Sequence, residues 1–313
     1  MTLTALQVRQ LNNMNAAAQR AGLGTLLSYG DPAGTVYFVD GNAGLDTNDG
    51  LSWGSAFKKL SVALAASHAN IAAGSTGWAA RNRIYFKADH DIDADGENLV
   101  LLAQKTDIIG VGSTSNFTQS TLVGAHVPIS TTGIGVRFFN IRFKAPAAGG
   151  TIFTLNATQR GIEFHGCTFD ATNTAAATTA IKATAVWFLK IKNCEFVGPF
   201  AGPVISILAG NAQGLEISDN YIEGAAQGIL FATSVTSSPK KILVARNIVH
   251  TGTECLVDTD ATVVAAIDNN LVTLQANGSN GDGILTVNQK LAQGNWLTAS
   301  DMNQCFYPLV GTL

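Results

Sequence analysis

Apolar positions in this chain fall into one phrase written six times. It is an apolar residue, a Cys or Asn three positions on, and a second apolar residue five positions after the first. It reads Phe138–Ile141–Phe143, with Ile in the middle place, then Phe164–Cys167–Phe169 and Ile191–Cys194–Phe196. It continues as Ile217–Asn220–Ile222, Val244–Asn247–Val249 and Ile267–Asn270–Val272. From start to start the steps are 26, 27, 26, 27 and 23 residues, and a fixed period of this size marks a solenoid. Around the starts apolar residues alternate, as in Leu189–Ile191 and Leu215–Ile217, which is the two-residue period of a strand. The separators are rich in Gly, Ala, Thr and Asn and carry no helical stripe, which argues against a repeat with one helix per turn. A turn of this length holds roughly three short strands of about 4–6 residues, parallel from turn to turn and ~4.8 Å apart. Crossovers between parallel strands are nearly always right-handed. The expected fold is therefore all-β, a right-handed parallel β-helix solenoid.

The middle place becomes an inward column: Ile141, Cys167, Cys194, Asn220, Asn247 and Asn270. Stacked asparagine amides can hydrogen-bond one another and the adjoining backbone, satisfying polar groups that burial would strand. Cys167 and Cys194 would be neighbours ~4.8 Å apart, close enough in principle for a disulfide. They are read instead as buried thiols acting as small hydrophobes. Cys255 and Cys305 have no metal-like spacing. With this column, the chain resembles the pectate-lyase-like β-helix family, which uses such inward ladders, over roughly residues 35–275. The resemblance implies a fold and leaves the activity open, because one fold hosts many functions.

Residues 1–34 read as an N-terminal helix and linker, an attachment arm. Thr4 with Gln7 forms a capping box, Leu6, Leu11 and Met14 supply apolar contacts, and Gly22 gives the stop. Residues 35–82 hold a capping strand at Val36–Val39, an Asp/Asn-rich turn and a cap helix. In the turn, Asp40, Asn42, Asp46 and Asp49 offer oxygen ligands at a density that suits calcium. Their spacing is not that of an EF-hand, and such clusters also build ordinary turns. The helix is expected to be capped by Ser55, with Phe57, Leu60 and Leu64 on one face. This lead-in, from the turn through Trp53 to the helix, resembles that of β-helix proteins from tailed bacteriophages. In those the helix covers the first turn, whose open end would expose core and unpaired strand edges. Residues 83–275 form the β-helix, opening at Arg83–Phe86 with an irregular turn at Asp107–Val111. Beyond Thr273 the rhythm stops, so 276–313 are expected to form a C-terminal cap or a subunit contact.

Charged residues are 13% and the net charge is −3, which gives no electrostatic ground for nucleic acid as a partner. No apolar run approaches the ~18–20 residues of a membrane span, so no membrane is expected. The start, MTLTALQVRQ, lacks the apolar core of a signal peptide. No cofactor is expected.

One position past each phrase end lies an outward column: Lys144, Asp170, Val197, Glu223, His250 and Thr273. It makes Glu223 and His250 neighbours and sets Asp170 two turns from Glu223. A carboxylate beside a histidine suits acid–base chemistry on a glycan, so these three are the catalytic candidates. Two positions past each start lie Asn140, Gly166, Asn193, Asp219, Arg246 and Asn269, where Asp219 can pair with Arg246. Lyases of the resembled family stack aspartates on successive turns for calcium, and neither column does so. Tyr221 and Trp187 stand as isolated aromatics. The expectation is a non-enzymatic bacteriophage virion structural protein (head decoration, fibre or spike subunit), assembled in the host cytoplasm. Its partners would be capsid or tail proteins of the virion, and a homotrimer is implied by the resemblance. The alternative is a tailspike-type glycan depolymerase, or an adhesin that binds host glycan without turnover.

Overall fold

The computed structural model describes residues 33–73, 81–88, 99, 104–112, 119–123, 135–145, 150–156, 160–172, 177–208, 213–232, 242–253, 256–258, 265–268, 270–274, 284–286, 291–293 and 296–298. Three parallel sheets wind around one apolar interior. The first coils supply β1 (Ala33–Asp40), β2 (Arg81–Lys87), β3 (Thr106–Gly110), β4 (Ser120–Val123), β5 (Arg137–Phe139), β6 (Ile141–Lys144) and β7 (Gly150–Leu155). A ten-stranded sheet runs β1, β2, β3, β5, then Glu163–His165, Lys190–Lys192, Leu215–Ser218, Ile242–Ala245, Ala265–Asp268 and Leu291–Gln293. An eight-stranded sheet runs β4, β6, Thr168–Asp170, Glu195–Val197, Tyr221–Gly224, Ile248–Thr251, Leu271–Leu274 and Trp296–Thr298. A six-stranded sheet runs β7, Ala177–Thr184, Ile205–Leu208, Ile229–Phe231, Leu256–Asp258 and Ile284–Thr286. The molecule is a parallel β-solenoid.

Register follows the phrase. Phe138, Phe164, Ile191, Ile217, Val244 and Ile267 pair in line through the first sheet. Phe143, Phe169, Phe196, Ile222, Val249 and Val272 do so through the second. Phe138, Phe143, Phe153, Phe164, Phe169 and Phe196 are fully buried. Rings one coil apart stack, Phe138 on Phe164 at 5.2 Å and Phe169 on Phe196 at 4.6 Å. Same-face neighbours at strand spacing make this stacking automatic.

Between the two phrase strands the chain turns a corner in the left-handed region. Asn140, Gly166, Asn193, Asp219 and Arg246 have φ of 58°, 59°, 52°, 60° and 55°. Asn, Asp and Gly tolerate that region best, which explains the composition of this column. Arg246 is the exception. Its guanidinium grips Asp219 one coil away through Nε–Oδ1 at 2.6 Å and Nη2–Oδ2 at 2.7 Å.

The N-terminal end differs from the expected layout in two respects. The capping strand is the first member of the ten-stranded sheet, since β1 pairs with β2 from Val36–Arg83 to Asp40–Lys87. The helix, α1 (Leu60–Ala73), begins five residues after Ser55. Ser52, not Ser55, serves as an N-cap here, for a short turn of 3-10 helix at Trp53–Ser55. Phe57 precedes α1 and bridges to Val39. At the start of α1, Asp46 accepts from the Lys59 backbone N–H at 2.9 Å. Leu60, Ala63, Leu64 and Ile71 are buried, and the first three join the common core beside β1 and β2. Among the described residues the other two sheets begin only at β4 and β7, so near β1 the interior takes this helix in their place.

The C-terminal end differs as well. Ala292 pairs with Ile267, and Leu297 with Val272. The sequence there, Ala292–Asn295–Leu297, is the phrase again with a weak first letter. The solenoid strands therefore extend past 275.

Candidate functional site

From Cys194 to Asn270 the inward column is a continuous hydrogen-bonded ladder. Asn220 donates from its backbone N–H (3.1 Å) and its amide (2.9 Å) to Asn247 Oδ1. Asn247 does the same to Asn270 Oδ1, at 2.9 Å each. Cys194 N–H donates to Asn220 Oδ1 at 2.8 Å. Every rung also donates backward to the carbonyl of the preceding phrase start. Asn270 reaches Val244 O, Asn247 reaches Ile217 O and Asn220 reaches Ile191 O, all within 2.9–3.0 Å. The thiols of Cys194 and Cys167 take the same role toward Phe164 O at 3.5 Å and Phe138 O at 3.6 Å. The two cysteines are free and buried, and burial pushes the Cys194 thiol well up, away from the reactive thiolate. Cysteine copies the amide's donor but not its acceptor. Cys194→Asn should therefore extend the ladder by one rung and raise stability by about 1 kcal/mol, read as a higher melting temperature. An unchanged or lower value would show that this rung has no room for the amide.

Of the catalytic candidates, the structure brings two together. Glu223 and His250 are register partners on adjacent strands, both half-buried, and Tyr221 Oη donates to Glu223 Oε2 at 3.4 Å. Asp170 stands apart, with Val197 on the intervening strand. Its outward place does not leave it free, because it is only 2% exposed. Arg142 grips one carboxylate oxygen with Nε at 2.9 Å and with Nη2. Thr172 donates to the other from N–H at 2.8 Å and Oγ1 at 2.6 Å. Burial alone would raise this carboxyl, but the bonds from Thr172 and Arg142 outweigh it and hold it below the ordinary value. An ionised, fully engaged carboxylate suits a strut better than a proton donor.

The acidic turn is likewise committed to its own backbone. Asp40 accepts from Asn42 and Ala43 N–H at 3.0 Å each and from Lys87 Nζ at 3.1 Å. Asp49 accepts from Leu51 N–H at 3.0 Å and Ser55 Oγ at 2.6 Å, while Asp46 holds the start of α1. Among the described residues no three acidic, His or Cys side chains are grouped to hold a metal ion.

A site that the expected columns missed lies one position before each phrase start. Through the ten-stranded sheet that column reads Arg83, Asp107, Arg137, Glu163, Lys190 and Glu216, alternating in sign at every rung. Opposite charges side by side are favourable in a sheet. Arg137 binds Asp107 at 2.7 Å through both Nε and Nη2, and Lys190 reaches Glu163 at 3.0 Å. His165 Nε2 sits 2.8 Å from Glu163 Oε2. Burial would raise Glu163, but His165 and Lys190 bring it down from 4.5 to about 2. The folded-state value is depressed, so its stabilisation is full above about pH 4.5 and fades as pH falls toward 2. After allowance for solvent screening it is worth about 1–2 kcal/mol. Glu163→Gln should lose that amount at pH 7 and show a flatter melting profile between pH 5 and 2; parallel profiles for the two proteins would refute the pairing.

Comparison with family models, with curated proteins and with solved structures gives no match. The class of the molecule is thus set by its own geometry, a parallel β-solenoid with an Asn/Cys ladder. Leu6, Leu11 and Met14 of the arm, Cys255 and Cys305, and the chain from 299 to 313 lie outside the described residues. Among the described residues no helix is long and apolar enough to cross a membrane.

Proposed function

We propose that the chain is a non-enzymatic structural subunit of a bacteriophage virion, a head-decoration, fibre or spike protein. In this reading it is attached through its N-terminal region and assembled as a homotrimer. The observation that carries the reading is where large apolar side chains meet solvent. Among the described residues six large apolar side chains are exposed, and three of them, Leu45, Leu51 and Trp53 at 59%, 54% and 41%, lie close in sequence in the lead-in at the β1 end of the solenoid. Clustered exposed apolar side chains mark contact surfaces, and Trp is a frequent anchor in them. Trp53 is held for this role by packing on Phe38, ring centroids 4.9 Å apart. The virion setting is supported by the resemblance of this lead-in to tailed-phage β-helix proteins. Attachment would place the acidic turn and Trp53 against the particle, with the arm before residue 35 as a further grip.

The test is direct. Particles purified from an infected host should contain the chain in a copy number divisible by three. The double variant Leu51→Glu, Trp53→Glu should fold but leave the particles, at least a tenfold loss in occupancy. Retention at wild-type occupancy overturns attachment through the lead-in, and absence of the wild-type chain from particles overturns the virion reading.

A second reading, glycan cleavage, is favoured only by the adjacency of Glu223 and His250 beside the exposed Tyr221. Release of reducing ends from a host surface glycan, abolished by Glu223→Gln, would move the assignment to a depolymerase.

A further inference from the structure

Read along the solenoid axis, one register column on each of the three sheets changes from charged or polar to apolar residue types, within one coil of the others. On the eight-stranded sheet, Arg142, Thr168 and Glu195 give way to Tyr221, Ile248, Leu271 and Trp296 in unbroken register. Tyr221 and Ile248 are 37% and 44% exposed. On the ten-stranded sheet, the alternating charges end at Glu216 and the column continues as Leu243, Ala266 and Leu291. On the six-stranded sheet, Thr154, Lys182 and Ser206 give way to Leu230, Val257 and Leu285. The change is a property of the rod's length, not of one patch.

We infer that the C-terminal half of the solenoid, centred on the Tyr221–Ile248 column, is the surface on which copies of this chain associate. The inference rests on the homo-oligomeric reading proposed above and names the contact within it. Three features select a second copy as the occupant. The columns repeat at the ~4.8 Å strand spacing, and another copy has the same rise, so contacts stay in register over several rungs. The columns carry no charged residue type past the switch, so a symmetric interface brings no like charges together there; the Arg137–Glu216 stretch would meet its own charges. A column without charged residue types on each of the three sheets suits a rod set among neighbours, whereas a small ligand or a flat membrane would meet one side. Glu223, His250 and Asp268 on the flanking columns and the exposed Asp219–Arg246 ion pair at the corner remain as the polar rim that surrounds the apolar centre of an interface.

The experiment is sedimentation velocity and light scattering on the full chain. The variants are Tyr221→Lys with Ile248→Lys, and Glu195→Lys as a control on the charged half. The wild type should be a multiple of its 32.6 kDa chain mass. The double variant should be monomeric, with association weakened at least a hundredfold, and the control should keep the wild-type mass. Circular dichroism should show both variants folded, since the substituted side chains reach solvent. A double variant that associates like wild type overturns this contact and leaves the homo-oligomer standing. A wild-type monomer at all concentrations overturns the homo-oligomer itself, and with it this contact.

Discussion

Asn247→Leu is expected to lower the melting temperature by about 10 °C, the largest single effect in the solenoid. Asn247 is fully buried and stands in the middle of the amide ladder. Its Oδ1 accepts from both the backbone N–H and the amide of Asn220, and its Nδ2 donates to Asn270 Oδ1 and Ile217 O. A leucine there removes all four bonds while its neighbours stay buried. Each stranded group costs about 1–3 kcal/mol. Some retain a second partner, as Asn220 does at Ile191 O, so the sum is roughly 3–5 kcal/mol. At about 2–4 °C per kcal/mol for a chain of a few hundred residues this gives the stated shift. Asn247→Cys separates the two halves of the role. A thiol can still donate to Ile217 O, as Cys194 does to Phe164 O, but supplies little acceptance to Asn220, so about half the loss should remain. Ile141 is tolerated in the same column because its register partner in the coil before is Ser120, whose buried hydroxyl donates to Phe86 O and needs no acceptor from Ile141. Thermal denaturation of the three proteins gives the ordering, and an Asn247→Leu protein that melts with wild type would sink the ladder as a stabilising device.

How much of this was legible in the sequence depends on which interaction fixes each residue. The phrase positions are set by side-chain alternation within a short strand, a local property, so Phe164–Ile191 and Phe169–Phe196 pair where the period puts them. The seventh phrase was missed because Ala292 is a weak apolar letter, although pairing with Ile267 gives it the same place. With it went Trp296, which shares a register column with Tyr221, Ile248 and Leu271. Asp170 shows a different limit. Its outward position follows from the pleat, but its burial comes from Arg142 on the neighbouring strand and from Thr172 just beyond its own, and a column read one position at a time contains neither. The alternating charges were equally visible from Arg137 to Glu216. They lie one position before the phrase start, a column that a search for clustered carboxylates passes over because no two neighbours share a sign. The acidic turn shows composition alone misleading: dense aspartates at 40–49 suit an ion, but here each is consumed by nearby N–H, hydroxyl or ammonium groups.

Asp107→Ala is expected to destabilise the N-terminal coils by about 2–3 kcal/mol while leaving the C-terminal coils nearly untouched. The Asp107 side chain is 1% exposed and ties three strands together. Oδ1 accepts from Arg81 Nη1 at 2.9 Å and Arg137 Nε at 2.7 Å, and Oδ2 accepts from Arg137 Nη2 at 2.7 Å. Arg81 Nη1 also reaches Gly135 O at 2.7 Å, so the cluster spans from β2 to the residues just before β5. Removing the carboxylate leaves two guanidinium groups facing each other without their shared counter-charge. Breaking a wholly buried pair costs about 3–5 kcal/mol. Here the arginines are about a quarter exposed, and water recovers part of it. Asp107→Asn keeps an acceptor but not the charge and should lose roughly half as much. Because a solenoid's stability is a sum over neighbouring coils, the damage should stay local. Amide exchange should quicken in Arg81–Lys87 and Thr106–Gly110, the strands that the carboxylate ties together, and stay slow in Ile242–Ala245. Exchange that quickens equally at both ends would mean the solenoid unfolds as one unit, and exchange unchanged at β2 would mean the arginines find solvent as good a partner as Asp107.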